Sequence, residues 1–308
     1  MKKHRAIWLS VAAMSVVVAV LLVASRTREP IYQEKRLSEW LEDFDSFFEV
    51  ERRKNAEEAL RQMGTNVLPF LVRELRARDS WLKRKMLKLT PKPLLVRMPI
   101  TVFAHVRRER AVAGFRALGT FGRPALPELS GLLNDKETAS YAARAICQMG
   151  NDAVPPLMDA LNSREPAVRS AAAEGLYWLK SDAAPTVPAL MAKLKDEQES
   201  VRCSAASALG NIGQRGEIVI PALLDALNDP SSSVRDQAVW AIGKFRPEAK
   251  AAVPTLLKIA KEDKDSKVRD SAVNALHLID PETAVTSGLM DPETAALLKQ
   301  LESKLDAK

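Results

Sequence analysis

The sequence predicts an all-α protein, an α-solenoid of about eight stacked helical hairpins behind an N-terminal transmembrane helix. Three observations lead to this: a repeat of about 33 residues, helical periodicity within each repeat, and an uncharged apolar run near the N terminus. Four prolines share this spacing: Pro155, Pro188, Pro221 and Pro254. Four Val-Arg pairs recur at nearly the same spacing: Val168-Arg169, Val201-Arg202, Val234-Arg235 and Val268-Arg269.

Each unit divides into two helices. Counted from the valine, apolar residues recur at offsets 4, 8 and 11, which share one helical face, as in Val201, Ala205, Leu209 and Ile212. The proline lies upstream of the valine, in a second apolar run. Proline is tolerated in the first turn of a helix, where its missing N–H would be unpaired. Each unit is therefore a short helix, a polar turn and a longer helix.

The pattern continues upstream more loosely, and the chain divides into four segments. Residues 29–122 are divergent repeats with a basic insertion, and the proline-rich stretch 90–99 interrupts them. Residues 123–280 are regular repeats. Residues 281–308 are a C-terminal capping segment, in which Asp291 is expected to cap a closing helix near 292–305. Residues 1–28 are a membrane anchor or signal segment.

Residues 6–24 contain no charged side chain over 19 positions. A helix of this length spans about 28 Å, close to the hydrocarbon thickness of a bilayer. Lys2, Lys3 and Arg5 precede the run, and this favours a cytoplasmic N terminus. We therefore expect a single-pass protein of the bacterial inner membrane with its repeats on the non-cytoplasmic side. The alternative is a cleaved signal peptide and a secreted or periplasmic protein, although the apolar run exceeds the usual ~7–15 residues.

The net charge of +7 is unevenly distributed. Residues 76–110 hold eleven basic residues against Asp79 and Glu109. Such a segment suits an anionic lipid, an acidic protein or nucleic acid, while the plainer interpretation is a solvated helix face. The basic patch is formed by these residues: Lys83, Arg84, Lys85, Lys88, Arg107, Arg108 and Arg110.

These repeats resemble the HEAT-repeat family, in the variety also seen in bilin-lyase subunits, and are similar to bacterial envelope HEAT-repeat proteins. The residues that carry the resemblance are the first-helix proline, the second-helix Val-Arg and an aspartate five residues before the valine, with Ser163 as the exception. In the family this aspartate and arginine form a ladder between neighbouring repeats. The resemblance implies such a ladder here: Asp196, Asp229 and Asp263 with Arg169, Arg202, Arg235 and Arg269.

The family resemblance also implies that the second helices line a concave face. Offsets 6 and 10 from the valine point away from the packed face, at about 240° and about 280° around the helix. The predicted binding residues at these offsets are Glu174, Trp178, Ser207, Asn211, Trp240, Lys244 and Asn274. Trp178 and Trp240 suit partner anchors, and the alternative for both is edge packing between repeats.

No catalytic motif accompanies this architecture. The three histidines are scattered, no His-Glu pairs or phosphate-binding loop occur, and Cys147 and Cys203 lie in separate repeats. We therefore predict no cofactor, no metal site and no small-molecule substrate, and nucleic acid is disfavoured as a partner. The first hypothesis is an exported scaffold that binds a protein or peptide on its concave face. The alternatives are a bilin-lyase-like enzyme and a binder of anionic polymers through residues 76–110.

Overall fold

The computed structural model describes residues 29–45, 49–81, 85, 103–291, 293–294 and 297. The predicted transmembrane run 6–24, the proline-rich stretch 90–99 and most of the predicted closing helix lie outside these residues. Within the described part, no helix is long and apolar enough to cross a membrane. The chain forms two compact units, residues 1–121 and 122–308.

The first unit opens with a small hairpin that the sequence did not predict. Strands β1 (Ile31–Tyr32) and β2 (Lys35–Arg36) pair antiparallel. Gln33 and Glu34 both have positive φ, 49° and 61°, as a two-residue hairpin turn requires. Four helices of this unit follow: α1 (Leu37–Glu42), α2 (Val50–Met63), α3 (Leu68–Leu75) and α4 (Ala104–Leu118).

The second unit contains five helical hairpins in succession. Their first helices are α5 (Leu126–Leu133), α7 (Val154–Ala160), α9 (Val187–Lys193), α11 (Gly216–Ala226) and α13 (Val253–Glu262). Their second helices are α6 (Ala139–Ile146), α8 (Pro166–Leu179), α10 (Glu199–Ile212), α12 (Ser232–Lys244) and α14 (Ser266–Ile279). Second helices pack on second helices in chain order, and each first helix packs on its own partner. This is the predicted solenoid of stacked hairpins.

The core of the second unit is a series of thin layers of valine, alanine and leucine. The valines at offset 0 and the alanines at offset 4 are fully buried in all four regular repeats. Glycines allow the closest approach between second helices: a Cβ on Gly210 would lie 2.6 Å from the Cα of Ala241. Small residues at these offsets therefore set the spacing of the stack.

One helix boundary differs from the sequence prediction, and one helix is additional to it. Pro221 lies inside α11, which begins at Gly216, whereas Pro155, Pro188 and Pro254 lie in the first turn of their helices. Pro221 has no backbone N–H and therefore cannot donate a hydrogen bond to the carbonyl of Glu217. Glu217 is an exposed residue. An additional short helix, α15 (Pro281–Thr286), follows α14, and the Oδ1 of Asp280 accepts a hydrogen bond from the backbone N of Thr283.

The same Asp-Pro-Glu-Thr sequence occurs again further along the chain, where Asp291 accepts from the backbone N of Thr294 at 2.7 Å. The predicted capping role of Asp291 is therefore present, although the helix it was expected to begin lies mostly outside the described residues.

Candidate functional site

The candidate site is a groove in the second unit, of about 730 Å³, that runs across α8, α10, α12 and α14. We refer to it as the groove. Its lining residues are Glu174, Tyr177, Trp178, Cys203, Ser204, Ser207, Ser233, Asp236, Gln237, Trp240, Lys267 and Ser271. All of them lie on second helices, because these helices stack directly on one another and turn the same face outward.

Four of the seven predicted binding residues line the groove: Glu174, Trp178, Ser207 and Trp240. The other three do not. Asn211 donates from Nδ2 to the carbonyl of Tyr177 at 2.7 Å, Lys244 lies over the Trp240 ring with Nζ 4.8 Å from the ring centroid, and Asn274 is exposed on α14. The two chosen offsets therefore identified part of the groove lining but not all of it.

The sequence reasoning missed the offsets −1, +2, +3 and +9. These offsets supply Ser204, Asp236, Gln237, Lys267 and Ser271, among others. The helical angles already indicated two of these offsets. Offset +3 lies at about 300° and offset −1 at about 260°, close to the angles of offsets 6 and 10. What the angles alone did not give was the width of the exposed arc.

The two tryptophans have different environments. Trp178 is 55% exposed, and the ring of Tyr177 meets it edge-on, with centroids 5.1 Å apart and planes at 85°. Trp240 is half-buried, and a Cβ on Gly210 would lie 3.2 Å from its Cζ3. Trp240 therefore packs at the edge between two repeats, which was the alternative for both residues, while Trp178 offers a free aromatic surface.

Polar side chains of the groove are bonded mostly to each other across neighbouring helices. Ser207 Oγ donates to Gln237 Oε1 at 2.6 Å, and the hydroxyls of Ser170 and Ser204 lie 3.0 Å apart. The buried Asp236 accepts from Ser271 Oγ at 2.5 Å and pairs with Lys267 Nζ at 2.8 Å. These bonds fix the polar surface between the repeats.

Cys203 is the one thiol lining the groove. Burial, with a smaller contribution from the charge of Glu199, raises its pKa to about 11. A thiol with this pKa is almost entirely protonated at neutral pH, so it is a poor nucleophile. Cys147 is buried, and both cysteines are free. Among the described residues, no group of three or more His, Cys, Asp and Glu side chains is placed to hold a metal ion.

The arginine–aspartate ladder lies along the turns of the regular repeats. Arg169, Arg202 and Arg235 each donate from Nε and Nη2 to both carboxylate oxygens of the aspartate in the following repeat, at 2.7–3.0 Å. Their partners are Asp196, Asp229 and Asp263, respectively. Each arginine also donates from Nη1 to two backbone carbonyls of its own turn.

The two ends of the ladder are asymmetric. Arg269 keeps the Nη1 bonds to the carbonyls of Asp263 and Lys264, but no carboxylate of the described chain meets its Nε or Nη2. At the other end Ser163 replaces the aspartate, and the preceding repeat has Ala139 where an arginine would bind it. The missing aspartate and the missing arginine therefore belong to the same absent rung.

Hydrogen bonds and charges shift the pKa of the ladder groups. Burial alone would raise the pKa of Asp196 and Asp229, but the bonds from the arginine and from a backbone N–H outweigh it and lower both pKa values. For Asp263 the hydrogen bond from Arg235 is the largest influence, and its pKa is also lowered. The ladder aspartates therefore stay ionised to lower pH than free carboxyls do.

Three of the seven residues of the predicted basic patch form hydrogen bonds or ion pairs within the first unit. Arg107 pairs with Glu74 through two bonds of 2.6 and 2.8 Å, and Arg110 pairs with Glu42 and Asp45. Arg108 is buried and donates to the carbonyl of Ala77. These three arginines hold α4 to its neighbours. Lys85 is exposed, and the remaining members, Lys83, Arg84 and Lys88, lie outside the described residues.

Comparisons with known proteins support the same architecture. A family model described as HEAT repeats matches residues 126–187 and 220–306, and one described as PBS lyase HEAT-like repeat matches residues 201–229. No curated protein matches the chain significantly.

Several solved structures are similar to the chain at low identity. Kap121p is 14% identical, with a TM-score of 0.50 over 85% of this chain and 31% of that one. A designed armadillo repeat protein in complex with the peptide (KR)4 is 21% identical, with a TM-score of 0.44 over 69% and 99% of the two chains. The complex of CpcE and CpcF of phycocyanin lyase from Nostoc sp. PCC7120 is 23% identical, with a TM-score of 0.39 over 64% and 80%. The likeness to Kap121p, at a TM-score of 0.50, shows a shared fold and nothing about activity.

Proposed function

Because the chain belongs to the HEAT-repeat family, we propose that it is a scaffold that binds a protein or peptide partner in the groove of its second unit. The observation that carries the proposal is the exposed Trp178 in an open groove of about 730 Å³. A large aromatic side chain that is 55% exposed contributes little to folding, and such residues are typical anchors at interfaces.

The shape of the groove favours an extended ligand. It crosses four successive helices, so a peptide lying along it would meet the same helical offsets in each repeat. Serine hydroxyls and the amide of Gln237 supply hydrogen-bonding groups beside the aromatic rings. The high pKa of Cys203 disfavours thiol chemistry in the groove, so we propose binding and not catalysis.

We further propose that the uncharged run 6–24 anchors the chain in the bacterial inner membrane, with the repeats on the non-cytoplasmic side. The support is the length of the run and its basic N-terminal flank. A C-terminal reporter that is active only in the cytoplasm would be silent under this topology, and activity of that reporter would overturn it. Recovery of a mature chain beginning near Ser25 would favour the signal-peptide alternative.

The groove is tested by crosslinking in intact cells followed by mass spectrometry. A photoreactive residue at Ser233, which is exposed and lines the groove, should capture a partner. The same residue at Lys258, exposed on the first helix α13, is the control and should not capture it.

Trp178→Ala should reduce capture from position 233 more than tenfold, because a well-buried interface tryptophan contributes about 2 kcal/mol or more to binding. Trp81→Ala removes a tryptophan that is 66% exposed in the first unit and should leave capture unchanged. Undiminished capture by the Trp178 variant would reject the groove. Loss of capture on neutralising Lys83, Arg84 and Lys85 would instead move the site to the basic segment.

A further inference from the structure

One end of the groove holds a carboxylate without a cationic partner. Glu174 lies one helical turn before Trp178 on α8, and both side chains line the groove. Glu174 accepts a single long hydrogen bond, from Ser140 Oγ at 3.4 Å, and no basic group of the described chain forms an ion pair with it. The other acid lining the groove, Asp236, is already paired with Lys267. Glu174 is therefore the uncompensated charge of this surface.

Another tryptophan of the groove already holds a cation. On α12, the ammonium of Lys244 lies 4.8 Å from the centroid of the Trp240 ring, in the last turn of that helix. A cation is favoured there twice, by the negative face of the indole and by the negative end of the helix dipole. The second helix of this repeat therefore supplies its own cation to its tryptophan.

The end of α8 also carries a tryptophan, one helical turn later than in α12, but no cation lies over its ring. The last turn of α8, which contains Trp178, has no basic residue. Lys180 follows at the helix end, but no lysine or arginine of the described chain lies over the Trp178 ring. The exposed indole and the unpaired carboxylate of Glu174 thus favour a positive charge over the Trp178 ring, where the described chain places none.

We infer that Glu174 and Trp178 form a subsite for a lysine or arginine side chain of the bound peptide. The inference rests on the proposed peptide-binding function and specifies which side chain the groove selects. The cation would lie over the exposed face of Trp178 and pair with the carboxylate of Glu174. A neutral side chain of the same length gains neither interaction.

The subsite can be tested with the full chain and small probes. The probes are N-acetyl-lysine methylamide and its neutral counterpart N-acetyl-norleucine methylamide, with N-acetyl-arginine methylamide as the second cation. The indole N–H resonances of the five tryptophans report binding by NMR, and Trp178→Phe identifies the resonance of Trp178. Both cations should shift that resonance saturably, while norleucine should not.

Two comparisons make the result specific. Glu174→Gln should weaken binding of the lysine probe by about threefold to tenfold, because one charge partner is lost while the indole remains. The resonance of Trp81, a similarly exposed ring that already faces Lys85 at 5.6 Å, should not move. Equal shifts with lysine and norleucine, or equal lysine affinity in Glu174→Gln, would overturn the inference.

Failure of this inference is distinguishable from failure of the groove as a binding site. If Glu174→Gln leaves partner capture from position 233 intact and the lysine probe produces no specific shift, the groove binds a partner without a cation subsite. If the lysine probe binds as described but position 233 captures nothing, the cation site stands and the proposed function is wrong.

Discussion

At the residue scale, one backbone conformation recurs at or just after the ends of four helices and is occupied by different residue types. Gly64, Gly119 and Gly150 have φ of 60°, 55° and 67° with ψ of −142°, −128° and −141°, a region that favours glycine. Lys180 occupies the same region at the end of α8, with φ 52° and ψ −133°. A residue with a Cβ is strained in this region, so the backbone at Lys180 is in an unfavourable conformation.

Replacing Lys180 by glycine should therefore stabilise the protein. We expect Lys180→Gly to raise the free energy of unfolding by about 1 kcal/mol, because relief of the strain exceeds the extra entropy of glycine in the unfolded chain. Chemical denaturation measures the change. Gly119→Ala is the reciprocal control: nothing lies within 4 Å of its added Cβ, so any loss of stability comes from the backbone. A destabilised Lys180→Gly variant would contradict the argument.

At the element scale, the ladder joins each second helix to the turn of the next repeat. The side chains of Arg202 and Asp229 are 14% and 9% exposed, so removing one partner leaves the other nearly buried without its counter-charge. Arg202→Gln should lower the free energy of unfolding by about 2–4 kcal/mol. Thermal or urea denaturation of the purified chain would measure it.

Arg269 provides the matched control for this prediction. It makes the same bonds to its own turn but has no carboxylate partner in the described chain, so Arg269→Gln loses only the bonds that both variants lose. It should cost less than about 1 kcal/mol. The double variant Arg202→Gln with Asp229→Asn should be less destabilised than the sum of its singles. Equal costs at Arg202 and Arg269 would mean that the carboxylate contact contributes nothing.

At the scale of the whole molecule, the three rungs make the stability of the second unit depend on pH. The pKa of each ladder aspartate is lower in the folded state than its ordinary value of 3.8. A depressed folded pKa contributes stability that is fully present above the unfolded pKa and is lost as pH falls through the folded pKa. Neutral conditions therefore retain the whole contribution, and acid removes it.

We expect the urea midpoint of unfolding to fall as pH is lowered below about 4, when the ladder aspartates begin to take up protons in the unfolded chain. The variant with Asp196, Asp229 and Asp263 all changed to asparagine should be less stable at pH 7 and should lose less on going to pH 3. The same acid-dependent loss in this variant and in the native chain would show that other carboxylates carry the effect.

The sequence by itself determined the repeat architecture, and its resemblance to the HEAT-repeat family implied the ladder. The architecture is a consequence of regular spacing: a helical face is fixed by intervals of three and four residues, and the repeating unit is fixed by a period of about 33. The resemblance placed Arg235 and Asp263 in the ladder, and Ser163 marked the break in the series of aspartates.

Only the tertiary structure decided which of the chosen surface residues are available for binding. Trp178 and Trp240 both stand at predicted exposed offsets, yet Gly210 of the neighbouring repeat lets Trp240 pack inward while Trp178 remains exposed. Arg107 and Arg110 belong to a segment that the sequence marks as basic, and in the structure they pair with Glu74 and Asp45, respectively. Exposure and charge pairing depend on which side chains the neighbouring elements bring into contact, and no regular interval in the sequence encodes those contacts.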